Sequence, residues 1–581
     1  MRTHNNGELR IKDVNKEVTL VGWVAKKRNL GGIIFIDLRD RYGITQIVCK
    51  PDNPMYDILE NVKNEYVLQV TGKVLERESK NKNLPTGDIE VEASAVNVLN
   101  TAENPPMIIA DETDALEDLR MKYRYLDLRR PVLQKNLITR HKISKAVREY
   151  LNERDFIEVE TPVFGKSTPE GARDYLVPSR LHPGKFYALA QSPQIYKQLL
   201  MIAGFERYYQ IVKCFRDEDF RADRQMEFTQ IDIEMSFVDE EDVYSLVEGM
   251  IYKMMKDVKG IEVKLPLPRL SYEEAMDRYG SDKPDTRFGM ELMNLNQCFK
   301  NIEFSVFQNV LSEGGLIKGI NVKGGAEKYS RKEIDRLGEE AKKFKVKGLS
   351  WLKYENDNFS GSLAKFLTEE ISDSLKGKLQ IENGDLVLIV ADRADHANSA
   401  LGYIRNIIGK EMNLIDTTRY NFLWINNWPS FEYDEEEGRY NAAHHPFTSP
   451  KDEDVDKLLT EPEKCHSKCY DIVLNGYELG SGSIRIHDQN VQKKMFQAIG
   501  LTETEIKEKF GFFIEALKYG TPPHGGIALG LDRIAMILCG AQSLRDVIAF
   551  PKSASAIDPM SEAPSYATPE QLRELKIEIK K

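Results

Sequence analysis

The sequence predicts a multidomain α+β protein: a small N-terminal β-barrel of the OB type, then a strand-rich region interrupted by an inserted α+β module. Three observations carry this. The chain has 581 residues, enough for several domains of about 150 residues each. Five short segments rich in β-branched residues stand in its first hundred residues, divided by turn residues. From about residue 135 the apolar spacing becomes helical, and strands, turns and helices then alternate. Apolar residues make up 41% and charged residues 30%, which suits large cores and excludes a disordered chain.

The barrel strands are read at 18–24, 33–39, 44–49, 66–74 and 88–98. Gly31-Gly32, Tyr42-Gly43, Pro51 to Pro54 and Pro85-Thr86-Gly87 separate them. Five short strands of this kind suit a closed OB barrel over 1–104. Asn104-Pro105-Pro106 opens a linker or hinge over 105–134. Leu137, Ile143, Val147 and Leu151 then share a helical face, ending near Arg154-Asp155. Segments 135–284 and 411–555 are strand-rich, whereas 285–410 reads as a separate α+β module without a catalytic grouping. The tail, 556–581, carries Pro559, Pro564 and Pro569 and reads as surface.

Whole-chain properties narrow the function. No apolar run approaches the ~20 residues of a membrane helix, and Met1 to Asn6 opens no secretory signal. Six scattered cysteines suit a reducing cytoplasm. The net charge of −11 argues against a phosphate-backbone binder, but a local basic patch survives such an average.

Several segments carry candidate chemistry. In Ile33 to Arg39, alternation places Phe35, Asp37 and Arg39 on one face. An aromatic among charges is a base-stacking candidate on an OB barrel, with Lys26-Lys27-Arg28 just upstream for phosphates. Phe215 to Gln225 holds seven charged residues in eleven. The strand after it, Phe228 to Met235, turns Ile231, Ile233 and Met235 one way and Gln230, Asp232 and Glu234 the other. Two carboxylates and an amide on one face suggest a binding floor that could receive an ammonium group. Ser192-Pro193 begins a helix, with Ser as N-cap and Pro at its first position, on which Gln194 and Lys197 share a face.

Tyr470 to Leu479 reads as a hairpin about Asn475-Gly476. Asp471 and Glu478 become diagonal neighbours, a pair able to hold Mg²⁺. A bulge at Gly480-Ser481-Gly482 would turn Arg485 back to their face. Gly525 to Arg533 runs a small-residue strand into a helix; the missing side chains would let a flat ligand such as adenine approach, with Arg533 aimed at phosphate. Other readings fail. Gly165-Lys166-Ser167 lacks the earlier glycine of a P-loop. Cys465 and Cys469 have no second pair at zinc-like spacing. His444-His445 has no Glu at metalloprotease spacing and is read as a ligand contact or a loop pair.

Together these pieces resemble the class II aminoacyl-tRNA synthetases, specifically the bacterial-type aspartyl-tRNA synthetases, over nearly the whole chain. Phe156 to Pro162 is similar to motif 1, Phe215 to Glu218 through Gln230 to motif 2, and Gly526 to Arg533 to motif 3. Ser167 to Asp174, Gln191 to Lys197, Tyr279 to Asp285 and His444 to Phe447 carry the resemblance to the subfamily. It implies an antiparallel catalytic sheet assembled from 135–284 and 411–555, with 285–410 as the bacterial-type insertion and motif 1 building a homodimer.

The resemblance also implies roles. Glu170, Gln194 and Asp232 hold the ammonium of L-aspartate; Lys197 and Arg485 grip its side-chain carboxylate, and His444 completes the pocket. Arg216 bridges the amino-acid carboxylate and the ATP α-phosphate. Asp217, Glu218 and Gln225 belong to the ATP site with Glu478. Gly530, Leu531, Asp532 and Arg533 line the adenosine and γ-phosphate end, Arg216 and Arg533 being catalytic. Asp471 and Glu478 hold Mg²⁺. Arg28, Phe35 and Gln46 read the anticodon. Leu30 and Lys80 fall at positions that separate tRNA(Asp) from tRNA(Asn), and Leu30 goes with strict tRNA(Asp) specificity; relaxed specificity would bring an amidotransferase partner. The expected activity is cytoplasmic aspartate–tRNA ligation. The alternative is a non-catalytic OB-fold nucleic-acid binder, expected to have lost Arg216, Glu478 or Arg533, all of which are present.

Overall fold

The computed structural model describes residues 1–167, 172–219 and 222–580. Glu170 lies outside the described residues. Five strands close a barrel in the order Glu17–Leu30, Ile33–Arg39, Ile44–Cys49, Ile89–Asn100, Val67–Glu76. Val18, Leu20, Ile36, Leu38, Val70 and Val91 fill it with no exposed area. Period-two alternation drives this, since one face of each strand is apolar. The first strand runs past Val24 to Leu30, so Lys26, Lys27 and Arg28 lie on the strand and face Asp37, Ile36 and Phe35 across the hairpin. Gly31 and Gly32, at φ +60° and +84°, supply the two-residue turn that holds this long hairpin together.

The barrel is fixed to the following segment. Glu65 accepts from Arg39 (2.8 Å) and from Arg129 Nη1 (2.7 Å), and the Arg129 guanidinium covers the Trp23 ring at 5.2 Å. Buried Asp127 then bonds Arg124 (2.7 Å) and Arg130 (2.8 Å). Arg124 also donates to the carbonyls of Arg545, Ile548 and Ala549. The expected hinge is thus anchored at both ends.

The central element is an eight-stranded sheet. Its order is Arg269–Ser271, Phe422–Asn426, Cys469–Leu474, Tyr477–Ile484, His524–Gly530, Glu227–Ser236, Arg207–Phe215, Ile157–Glu158. The inner pairs are antiparallel; the pair at each edge is parallel. Helices Pro131–Asn152, Glu240–Lys259 and Leu531–Cys539 cover one face over a core that includes Tyr244, Trp424 and Tyr470. The opposite face is polar and open.

A second sheet of five strands lies within 293–392, followed by helix Ala394–Glu411. From that helix Arg405, buried, donates to the carbonyls of Asp285, Phe288, Gly289 and Met290 and stacks on Phe288 at 3.9 Å. Helices Gln489–Ala498 and Glu503–Ala516, not anticipated from the sequence, pack Phe496, Phe510 and Phe513 against Phe447. Among the described residues no helix is long and apolar enough to cross a membrane.

Candidate active site

The open face of the sheet holds a cavity of about 430 Å³. Gln194, Lys197, Arg216, Glu218, Gln225, Asp232, His444, Glu478, Arg485, Gly530, Asp532 and Arg533 all line it. These residues are far apart in sequence and meet because three adjacent antiparallel strands, Tyr477–Ile484, His524–Gly530 and Glu227–Ser236, form the floor. Helix Gln194–Ile202 closes one side; it begins one residue later than expected, with Pro193 at the N-cap and Ser192 Oγ accepting from the Gln194 amide at 3.3 Å.

Two buried cations meet two buried carboxylates at the floor. Lys197 Nζ lies 2.8 Å from Asp232 Oδ1 and 3.2 Å from Glu234 Oε2. Arg485 donates through Nε (2.9 Å) and Nη2 (3.1 Å) to the two oxygens of Glu234 and through Nη1 to Ser483 Oγ (2.7 Å). His445 Nε2 lies 3.0 Å from the same Nη1. This corrects the expectation that Glu234 offers itself to an ammonium: both of its oxygens are taken. Burial pushes its carboxyl up, but Arg485 and then Lys197 outweigh that and hold it at about 2. Asp232 moves the other way, because burial outweighs its share of Lys197. Its Oδ2 is buried without a hydrogen-bond partner.

The bulge that returns Arg485 to this face sits one residue earlier than expected. Val473 pairs with Glu478 and Ile472 with Gly480, leaving Leu479 as the extra residue. Leu479 turns into the core and Glu478 stays at the cavity. The small-residue strand serves a different purpose from the one expected at Gly526. A Cβ there would come 2.1 Å from Glu234 Oε2, so this glycine makes room for the carboxylate and not for an adenine.

Other predicted residues spend their side chains on the scaffold. Asp532 accepts from the Thr229 amide at 2.6 Å and from Arg140. The Gln225 amide is committed to both backbone groups of Lys552. Leu531 is buried in the core, and Asp217 pairs with Arg173 at 3.7 Å; neither lines the cavity. Arg216 lies over Phe228 at 5.1 Å, and Arg533 Nη1 donates to the Glu478 carbonyl at 2.6 Å. His444 meets the Trp428 ring edge-on at 4.9 Å, and burial lowers its imidazole to about 4.

Asp471 stands on the neighbouring strand, 5% exposed. Burial and the nearby Glu478 carboxylate raise its carboxyl, and its Oδ1 has no hydrogen-bond partner. Two carboxylates that repel each other, one with an orphaned oxygen, fit a hard cation. On the barrel, Arg28 donates to Asp37 (2.6 Å) and Gln46 (3.3 Å), and Phe35 faces Arg28 across the hairpin. Leu30, at the hairpin tip, is 61% exposed. Lys80 pairs with Glu76 at 2.8 Å.

An antiparallel sheet carrying two arginines over a polar cavity, joined to an OB barrel, defines a class II tRNA synthetase. The family described as tRNA synthetases class II (D, K and N) matches residues 116–554, and the OB-fold nucleic acid binding domain matches 18–99. The chain belongs to the aspartate–tRNA ligases of that family. The aspartate–tRNA(Asp/Asn) ligase of Geobacillus sp. (strain WCH70) is 57% identical over 582 residues, covering 100% of this chain and 98% of that protein. The aspartate–tRNA ligase of Enterococcus faecalis is 54% identical, covering 100% and 99%. Among solved structures, asparaginyl-tRNA synthetase from Pyrococcus horikoshii with asparaginyl-adenylate superposes at a TM-score of 0.59 and 17% identity, covering 95% and 98%. Aspartyl-tRNA synthetase from Entamoeba histolytica superposes at 0.56 and 18%, covering 94% and 90%. These two are likenesses of fold.

Proposed function

We propose that the chain joins L-aspartate to tRNA through an aspartyl-adenylate, with the cavity as the site of both steps. One observation carries the residue roles. Buried polar atoms are normally satisfied, yet eleven side-chain atoms among the described residues are buried without partners, and five of them, Gln194 Nε2, Arg216 Nε, Asp232 Oδ2, Asp471 Oδ1 and Arg533 Nε, lie on residues expected at the site. Their polarity matches the substrates. The Asp232 oxygen accepts from an ammonium, the Gln194 and Arg216 donors meet the amino acid, Arg533 meets phosphate, and the Asp471 oxygen meets a cation.

The aspartate α-carboxylate is ionised at neutral pH and needs no base. It attacks the α-phosphorus in line while pyrophosphate leaves. Arg216 and Arg533 position and neutralise the developing charge. Asp471 and Glu478 would hold a Mg²⁺ ion, which supplies further neutralisation of the triphosphate. The terminal hydroxyl of tRNA then attacks the adenylate carbonyl and AMP leaves. Arg28, Phe35 and Gln46 hold the anticodon. Ile157, an apolar edge residue of motif 1 that is 48% exposed, supports a homodimer.

Aspartate-dependent ATP–pyrophosphate exchange tests this directly. Exchange with aspartate and none with asparagine or lysine is expected; no exchange with aspartate refutes it and leaves the non-catalytic binder. A second reading, charging of tRNA(Asn) as well, is favoured by relatives 57% and 56% identical that are named aspartate–tRNA(Asp/Asn) ligases. Leu30 favours strict charging of tRNA(Asp). Equal charging of both purified tRNAs would establish the relaxed form and bring in an amidotransferase partner.

A further inference from the structure

A thiol at the edge of the cavity has no part in the reaction above. Cys469 shares a strand face with Asp471, and its side chain opens onto the cavity. One ring nitrogen of His444, the Cys469 Sγ and one Asp471 oxygen all lie within 4.8 Å of one another. Separately, Asp471 Oδ1 is buried with no hydrogen-bond partner, on a residue only 5% exposed. We propose that His444, Cys469 and Asp471 form a site for a thiophilic divalent cation, zinc above all, whose occupation inhibits the enzyme.

Three protein donors of N, S and O type with a fourth position open to a cavity are the donor set of an accessible zinc site. Bonds of roughly 2.0–2.3 Å require the three atoms to draw in by about an ångström. Mg²⁺ prefers oxygen donors alone, whereas a thiolate and an imidazole select zinc or cadmium. The two ions therefore divide the same ground. The hard ion uses Asp471 with Glu478; the soft ion uses Asp471 with Cys469 and His444. On the functional reading above, zinc would take one Mg²⁺ ligand and one aspartate contact at once. Binding forms three metal–ligand bonds and releases the thiol proton to solvent; no electron is transferred. The cysteine pair considered in the sequence is not the donor set, because Cys465 Sγ faces the carbonyls of Asp454 and Glu461 at 3.8 and 3.4 Å.

The test uses the full-length protein. Cadmium chloride is titrated while the ultraviolet thiolate-to-metal absorption is recorded, and zinc chloride is titrated into the pyrophosphate-exchange assay at saturating Mg²⁺. The wild type is expected to show a thiolate band that prior Mg–ATP and aspartate suppress. Cys469→Ala should keep its exchange activity, lose that band and require at least roughly tenfold more zinc for half-inhibition. Cys469→Ser, which keeps the side-chain volume, should behave alike. Zinc sensitivity unchanged in both variants, or an unchanged band, overturns the site. A band lost in Cys469→Ala supports it even in a protein inactive in exchange, so the two readings fail separately.

Discussion

Replacing Arg485 by leucine tests the buried charge cluster more sharply than any other change. Glu234 has no exposed area, and Arg485 holds both of its oxygens, at 2.9 and 3.1 Å. Burial alone would raise the Glu234 carboxyl, yet Arg485 and Lys197 carry it from 4.5 down to about 2. At 1.36 kcal/mol per unit this is on the order of 3 kcal/mol, in line with ~3–5 kcal/mol for orphaning one member of a buried pair. That stability is present above the unfolded value near 4.5 and is lost as pH falls towards about 2. Sequence reasoning alone expects Arg485→Leu to abolish activation while leaving the fold intact. The structure predicts instead that the catalytic domain melts roughly 6–12 °C lower for a loss of ~3 kcal/mol. Adding Glu234→Gln should recover most of that loss, because no unpaired charge is left, but no exchange activity. Calorimetry of the two variants decides the matter. An Arg485→Leu melting transition within a degree of wild type, or a double variant no more stable than the single, would refute the account.

Three further outcomes follow from single contacts. Gly526→Ala places a Cβ 2.1 Å from Glu234 Oε2 and 2.1 Å from the Ile233 carbonyl; it should cost ~1–3 kcal/mol and depress exchange, read by thermal shift and pyrophosphate exchange. His444 keeps its imidazole neutral down to about pH 4, whereas the unfolded chain protonates near 6.5. The unfolded state therefore binds more protons in that window, and stability should fall as pH drops through it; denaturation of His444→Gln between pH 7 and 4 should show a shallower decline. Phe35→Ala should raise the KM for tRNA about 5- to 100-fold, from ~1–3 kcal/mol per stacked base, with pyrophosphate exchange unchanged.

The barrel was legible in the sequence because alternation and turn residues are local signals. Even there the first strand ran on to Leu30, since only the partner strand shows that the basic run is paired. The cavity residues were legible one by one, through polar faces of strands and the resemblance of motifs. Their partners were not. Nothing local in Phe228 to Met235 distinguishes Asp232, with a free oxygen, from Glu234, with none; that difference arises from Arg485, which reaches the site only through the Leu479 bulge. Asp532 and Gln225 line the cavity as expected, but their scaffold anchors, Arg140 and Lys552, were not legible because they lie hundreds of residues away in the chain.

The charge count explains how such a pocket selects an acidic amino acid. Lys197 and Arg485 balance Asp232 and Glu234, so these four groups sum to zero. Among the described residues, of which Glu170 is not one, Arg216, with its Nε unpartnered, leaves an excess of one positive charge facing the amino-acid end. Aspartate, with two carboxylates and one ammonium, brings a single negative charge and neutralises the site. Asparagine brings none and would leave a buried charge uncompensated, besides setting its amide NH₂ against groups that only donate. Mismatches of this polar kind reach discrimination of ~10⁴ without editing. On this argument Glu234 limits the excess to a single charge while holding Arg485 in place. A Glu234→Gln enzyme carries two excess positive charges at the amino-acid end, of which aspartate offsets one and asparagine none, so where it still folds its preference for aspartate should sharpen. Competition between aspartate and asparagine in the exchange assay measures that preference, and an unaltered ratio in Glu234→Gln would show that local donor geometry alone sets the choice.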